Sequence, residues 1–268
     1  MPQYSEAEKM EIDRLLSSLN LALRDFEQQV SPPRMRTLPE GVVFEYENKG
    51  ISEALVLKAA RLLSLLRASV LLANRGFVHE LGILKRAIFE TQEDVLFLVF
   101  GLVLGQEELH DRFLRAFWWK PINDLGEPTG HASNVPRKKI TAYVVRTVSK
   151  GTNYVESEGI RIGRFLYGFD SGYVHGSSEQ IMDLYYPDKS SSGTYAFQTN
   201  GLEGSGRAED YKKNLWNYIY RSVLAYVQAA MAFGLRDQAK QLSGAARSLE
   251  KSGHVGFKEP PKKKRKRC

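Results

Sequence analysis

Apolar residues recur at Phe77, Leu81, Leu84, Ile88, Val95, Val99 and Leu102, in steps of three, four and seven that mark one side of a helix. The other side of the same stretch, Phe77 to Leu104, carries His79, Arg86, Glu90, Glu93 and Asp94. The pattern predicts a long amphipathic helix at the centre of the core, and its polar side is the first place to look for function. Just before it, Ser52 to Asn74 is dense in Leu and Ala, broken only by Lys58, Arg61, Ser64 and Arg67. A helix this apolar belongs inside, buried over most of its circumference. Asn74-Arg75-Gly76 supplies a stop between the two, so the pair reads as an antiparallel hairpin in preference to one long bent rod.

The same spacing places further helices along the chain. Ser5 to Val30 holds Ile12, Leu15, Leu16, Leu19, Leu23 and Phe26 at helical intervals, and Ser5 with Glu8 fits a capping box. Ser31-Pro32-Pro33 ends it, because proline cannot continue a helix. Pro39 to Glu47 alternates at Val42, Phe44 and Tyr46, the pattern of a short extended segment. Gln106 to Lys120 turns Leu109, Phe113, Phe117 and Trp118 inward, and Arg137 to Lys150 turns Ile140, Val144 and Val148 inward, with a Gly/Pro/Asn-rich loop from Pro121 to Pro136 between them. Ala208 to Leu235 is a final long helix that extends, less apolar, towards Glu250.

The segment Ile160 to Tyr186 carries glycines at 163, 168, 172 and 176. Read as one helix, its Gly168, Gly172 and Gly176 share a face that admits another backbone. Each interior glycine costs about 1 kcal/mol relative to alanine, which close packing would have to offset. Read otherwise, the helix breaks near Gly172 and restarts at Ser177 under a Ser177–Gln180 capping box. Pro187 to Arg207 is a Ser/Gly-rich loop with a short strand at Tyr195 to Thr199. The fold class that follows is all-α: a multi-helix bundle around a long helical hairpin, with one short extended element. Residues 1–250 form a single helical domain with its core at 52–235, and 251–268 read as a disordered basic tail.

Composition narrows the setting. The sole cysteine is Cys268, which rules out a disulfide within the chain and fits a reducing cytosol. The longest apolar run, Val95 to Leu104, is about half of the roughly twenty residues a membrane-spanning helix needs. The opening MPQYSEAEKMEIDRLL lacks the apolar region of a secretory signal. A cytoplasmic protein without membrane contact is expected, nuclear only if the source is eukaryotic. The net charge of +7 belongs almost wholly to the tail, where Lys258, Lys262, Lys263, Lys264, Arg265, Lys266 and Arg267 face only Glu259. The body is close to neutral. The run Lys262 to Arg267 resembles a one-part nuclear localisation signal, and it equally has the make-up of an arm that contacts RNA or DNA, or of a solvated tail.

Candidate chemistry is sparse. His79, His110, His131, His175 and His254 are scattered, and no HExxH or cysteine cluster is present, so no metal or other cofactor is expected. P-loop, dinucleotide and nucleophile-elbow motifs are absent too. Arg86 and Glu90 lie one turn apart, with Asp94 a turn further. They form either a solvated salt-bridged face or a polar line against another helix, where a guanidinium fork can hold a carboxylate or phosphate. If Ile160 to Gly176 is one helix, Arg164, Gly168, Ser171 and His175 share a face. The His175 imidazole there can serve as a general base oriented by Ser171 or Tyr173; the alternative is a packed histidine bonded to a carbonyl.

LKRAIFE at 84–90 with SGYVHGSSEQIMDLY at 171–185 resembles a family of bacterial all-helical proteins that show Arg-x-x-x-Glu on a central helix and Ser-x-x-x-His late in the domain. The resemblance spans roughly residues 52–235. That family is distantly similar to the HEPN helical bundles, which commonly dimerise and of which many cut RNA without a metal, using an arginine and a histidine a few residues apart. Carried over, the resemblance implies Arg86, Glu90, Ser171 and His175, and a homodimer. One departure stands out: the nearest arginine before His175 is Arg164, about 16 Å away along a helix. A second copy, or Arg86, would have to supply the guanidinium. Two functions are therefore expected. One is an RNA-binding or metal-independent RNA-cleaving effector, in the setting of bacterial defence. In it His175, Arg86 and Glu90 are catalytic, and Ser171, Tyr173 and Arg164 bind substrate. The other is a non-catalytic interaction protein in which the same residues form a buried network and the tail contacts nucleic acid.

Overall fold

The computed structural model describes residues 4–38, 41–120, 127–130, 133–150, 155–187 and 193–255. The basic run Lys262 to Arg267, Cys268 and His131 lie outside them. In chain order the elements are α1 (Glu6–Glu27), β1 (Arg34–Leu38), β2 (Gly41–Glu45), α2 (Ile51–Asn74), α3 (Val78–Leu104), α4 (Glu108–Phe117), α5 (Arg137–Ser149) and α6 (Glu156–His175). Then come α7 (Ser178–Ile181), a 3₁₀ turn (Met182–Leu184), β3 (Tyr185–Pro187), β4 (Tyr195–Phe197), α8 (Gly206–Ala232) and α9 (Arg236–Ser252). Helices dominate, as expected. The extended structure is two antiparallel hairpins, β1–β2 and β3–β4; β2 falls in the extended segment expected at Pro39 to Glu47 and β4 at the strand expected at Tyr195 to Thr199, and β1 and β3 are additional.

Helix α1 starts where Ser5 and Glu8 close a reciprocal capping box, satisfying backbone N–H groups that no helical carbonyl can reach. Helix α2 packs back on α3 to form the central hairpin, and α8, α6 and α5 cover the remaining sides of α3. Leu81, Ile88, Val95, Phe97 and Leu98 of α3 are fully buried, as are Leu55, Leu62 and Leu66 of α2. The hairpin turn depends on Gly76, which has φ +68° and lies so close to the loop after β4 that a Cβ would sit 2.3 Å from the Glu203 nitrogen. No other residue fits there. Among the described residues, no helix is long and apolar enough to cross a membrane.

Three local expectations change. The last long helix does not run on towards Glu250. It ends at Ala232, turns through Gly234 at φ +76°, and returns as α9, which buries Leu242, Ala246 and Leu249 against α8. Helix α6 is continuous through Gly172 and stops at Gly176, whose left-handed conformation (φ +60°) caps it. Ser177 then precedes α7 without a backbone capping bond, so the Ser177–Gln180 box is not formed. Nor do the α6 glycines admit a backbone: Gly168 faces open space, and Gly172 meets the Gln180 side chain. The close approach lies elsewhere, at Gly82 of α3, where the Tyr173 ring occupies the space of a Cβ.

Candidate functional site

The polar side of α3 is not a solvated face, because other helices cover it turn by turn. Lys85 and Gln92 turn to α8, Arg86 to α6, and Glu93 and Asp94 to α5 and α2. Burying charges requires partners for each, and here nearly every partner comes from a different helix.

Arg86 is the best-connected residue of the seam. Its Nε donates to Glu90 (2.9 Å), Nη1 to the Ser171 hydroxyl (2.8 Å) and Nη2 to the Tyr167 hydroxyl (2.7 Å). The Tyr167 ring also lies 4.4 Å from the guanidinium carbon, covering its flat face. The side chain is 14 % exposed, and that of Glu90 32 %. The polar line against another helix is therefore the arrangement found. It unites Arg86, Glu90 and Ser171, and adds Tyr167.

The remaining predicted residues lie apart. His175, the last residue of α6, is exposed and its imidazole has no hydrogen-bond partner among the described residues, although it sits one turn beyond Ser171. It is therefore not the packed histidine considered above. Arg164 is also exposed. Tyr173 is buried and belongs to another group: its hydroxyl donates to Asp183 Oδ2 (2.5 Å) and meets the Tyr211 hydroxyl, while Arg207 Nη1 holds Asp183 Oδ1 (2.5 Å). These four side chains line a cavity of about 440 Å³ whose rim also carries Glu179 and Asp210. Burial pushes the Tyr173 phenol well above its usual range, helped by the Asp183 carboxylate, and takes Tyr211 up to about 12. Both stay protonated and donate hydrogen bonds.

Two buried ionisable groups were not singled out beforehand. Asp170 on α6 is 4 % exposed, and burial lifts its carboxyl to about 6 against the opposing pull of Lys85 and the Tyr218 hydrogen bond. Burial likewise depresses Lys85 to about 8, with Asp170 pulling it back up. The Lys85 ammonium rests 4.0 Å from the Tyr211 ring centre. A lysine beside the arginine of an Arg-x-x-x-Glu pattern looks like an ordinary surface residue; only the side of α3 that meets α8 shows otherwise.

Further along α3, Asp94 accepts from Lys58 of α2 (2.7 Å) and Arg137 of α5 (2.5 Å), and Glu93 accepts from Thr141 (2.9 Å). Burial raises the Glu93 carboxyl, and its bonds to Arg137 and Thr141 oppose that. Burial alone would lower the Arg137 guanidinium, but Asp94, Glu93 and Glu90 outweigh it and raise it. Among the described residues, no three His, Cys, Asp or Glu side chains converge on a point that could hold a metal ion.

No family model, curated protein or solved structure matches this chain. Its geometry is thus the whole basis for a functional reading. The seam as built can lock helices in register. Its guanidinium has one flat face against the Tyr167 ring and three of its five N–H groups engaged within the chain, so it can offer a phosphate at most the remaining two.

Proposed function

We propose that this chain is a non-catalytic helical interaction protein, and that its α3–α6 network fixes how one face of α6 is presented to a partner. The observation that carries this reading is the cross-helix bonding of Arg86, three of whose five N–H donors go to Glu90, Ser171 and Tyr167. A guanidinium committed in this way orders two helices and leaves little for a substrate. Buried polar networks of this kind penalise sliding, since a shift in register leaves donors unpaired.

The face held in place is apolar. Ile162, Phe165 and Phe169 follow one another at helical spacing on the outside of α6, and Phe165 and Phe169 stack at 6.3 Å. Phe165 is 66 % exposed. Such a stripe marks a contact surface. The partner in this reading is a second copy. An isologous pair sets the same patch against itself, so the stripe needs no complementary patch elsewhere. Light scattering on the full chain is expected to give twice the chain mass, and Phe165→Ser with Phe169→Ser to give the single chain mass at unchanged helicity. A monomeric parent would end the self-association reading.

The RNA-cleaving reading keeps one observation in its favour: His175 is exposed one turn from Ser171, free to reach a substrate. Pure protein incubated with labelled RNA, with and without chelator, decides between the two. Intact RNA is expected. Cleavage that survives chelation and disappears in His175→Ala would replace the interaction reading with the catalytic one.

A further inference from the structure

The cavity of about 440 Å³ between the end of α6 and the start of α8 shares no residue with the Arg86 network, and its walls have a chemistry of their own. Its size falls within the range of small-ligand sites. After α6 stops at Gly176, α7 and the 3₁₀ turn bring Glu179, Gln180 and Asp183 against the first turns of α8, which supply Arg207, Asp210 and Tyr211. Helix α6 itself contributes Phe169 and Tyr173. The Tyr173 ring is inclined by 69° to that of Phe169 (5.9 Å) and by 84° to that of Tyr211 (6.5 Å), so the aromatic walls meet at steep angles instead of stacking. Tyr186 of β3 adds a further aromatic wall.

Three carboxylates and one guanidinium line this space. Arg207 pairs with Asp183, which also accepts from the Tyr173 and Tyr211 hydroxyls. Glu179 and Asp210 are exposed, and their carboxylates have no ion pair or hydrogen bond among the described residues. The other cations close by are engaged elsewhere. Lys85 approaches the Tyr211 ring from α3 and is answered by Asp170, Lys212 pairs with Glu209, and Lys213 lines a separate hollow beside Tyr4. The cavity also holds an idle amide. Gln180 is 6 % exposed; the Ser177 hydroxyl donates to its oxygen, and its nitrogen donates to nothing among the described residues. A buried amide with one end unused costs stability unless something in the cavity accepts from it.

An anion entering this cavity meets two unanswered carboxylates. A neutral apolar molecule leaves those carboxylates and the Gln180 amide unused. An organic cation uses every wall: its alkyl groups lie on the ring faces, whose π electrons attract the charge, and the carboxylates neutralise it. We propose that the cavity binds a small alkylammonium ion that also carries an oxygen acceptor. Its charge lies among Phe169, Tyr186 and Tyr211, with Glu179 and Asp210 at the rim, and its oxygen accepts from the Gln180 amide. The site goes beyond the interaction reading and does not depend on it. Phe169 belongs both to the cavity and to the α6 stripe, so the test leaves Phe169 unaltered and a loss of binding is not confused with a loss of self-association.

The test is calorimetric titration of the full chain with choline, whose trimethylammonium and hydroxyl groups match the two halves of the site. The control is its uncharged analogue, with a tert-butyl group in place of the trimethylammonium, which is expected to bind at least about tenfold more weakly. A short peptide bearing trimethyllysine distinguishes the sources: binding of choline alone assigns the site to a free amine, and binding of the peptide alone to a side chain of a partner. Glu179→Gln combined with Asp210→Asn breaks no side-chain bond among the described residues and is expected to weaken whichever ligand binds by about tenfold. Gln180→Leu, with helicity unchanged by circular dichroism, brings choline down to the affinity of tetramethylammonium, which has the charge and no oxygen. The proposal is overturned if neither choline nor the peptide binds at millimolar concentration, if the uncharged analogue binds as tightly as choline, if the double carboxamide variant binds as the parent does, or if Gln180→Leu still prefers choline over tetramethylammonium as the parent does.

Discussion

Asp94 and Glu45 are each a carboxylate gripped by several cations, and they lie in opposite surroundings. Asp94 is 4 % exposed and joins three helices through Lys58 and Arg137. Glu45 is at the surface, partly open to water, with Arg36, Lys49 and Lys120 around it. The chemistry is the same and the dielectric is not. Inside, an unpaired charge has no water to fall back on, so the cluster must stay closed and its role is architectural. Outside, water can replace any partner at little cost, so the loss of one contact matters little. Counting ion pairs would rank the two alike; burial separates a strut from a surface cluster that can rearrange.

The contrast is sharpest in Asp94→Ala. It strands Lys58, leaves Arg137 with Glu93 and the Glu90 carbonyl only, and should lower the unfolding free energy by about 3 kcal/mol, read from the denaturant midpoint. A loss below about 1 kcal/mol would put Asp94 in the same class as Glu45. Next is the pH dependence of Asp170, whose folded-state value of about 6 stands above its ordinary 3.8. Folding then favours the protonated form, so the stabilising contribution is present below about pH 4 and is lost as pH rises through about 6. Measured against Asp170→Asn, the parent should lose up to about 3 kcal/mol across that window. A flat difference would mean that the carboxyl is better solvated than its burial implies. The smallest effect is that of Glu45→Gln, which should change stability by no more than about 1 kcal/mol. A larger loss would make the surface cluster structural too and blur the distinction.

How far the sequence could be read depends on the range of the forces involved. Helices α1 to α5 were legible because apolar spacing and capping residues act within a few positions, as at Ser5 and Glu8. The pairing of Arg86 with Glu90 was legible for the same reason. Ser171 could be named as a site residue but not as the partner of Arg86, and Tyr167 could not be found at all, since they lie 85 and 81 residues away in the chain. The α8–α9 break was hidden because Gly234 is one glycine among many until its positive φ is known. Lys85 and Asp170 were missed because their perturbation comes entirely from burial, which no local pattern signals. His175 was named from its helix face, but no local pattern could say that it would end up exposed.

Gly82 lends α3 a notch one methyl group deep, and the Tyr173 ring is seated in it. That ring carries a hydroxyl tied to Asp183 and Tyr211, and through Asp183 to Arg207 at the lip of the 440 Å³ cavity. The notch therefore works like the keyway of a gear: a slip of α3 along its own axis cannot leave the ring behind. The innermost helix is thereby joined, contact by contact, to a cluster of phenols and a guanidinium that line the cavity.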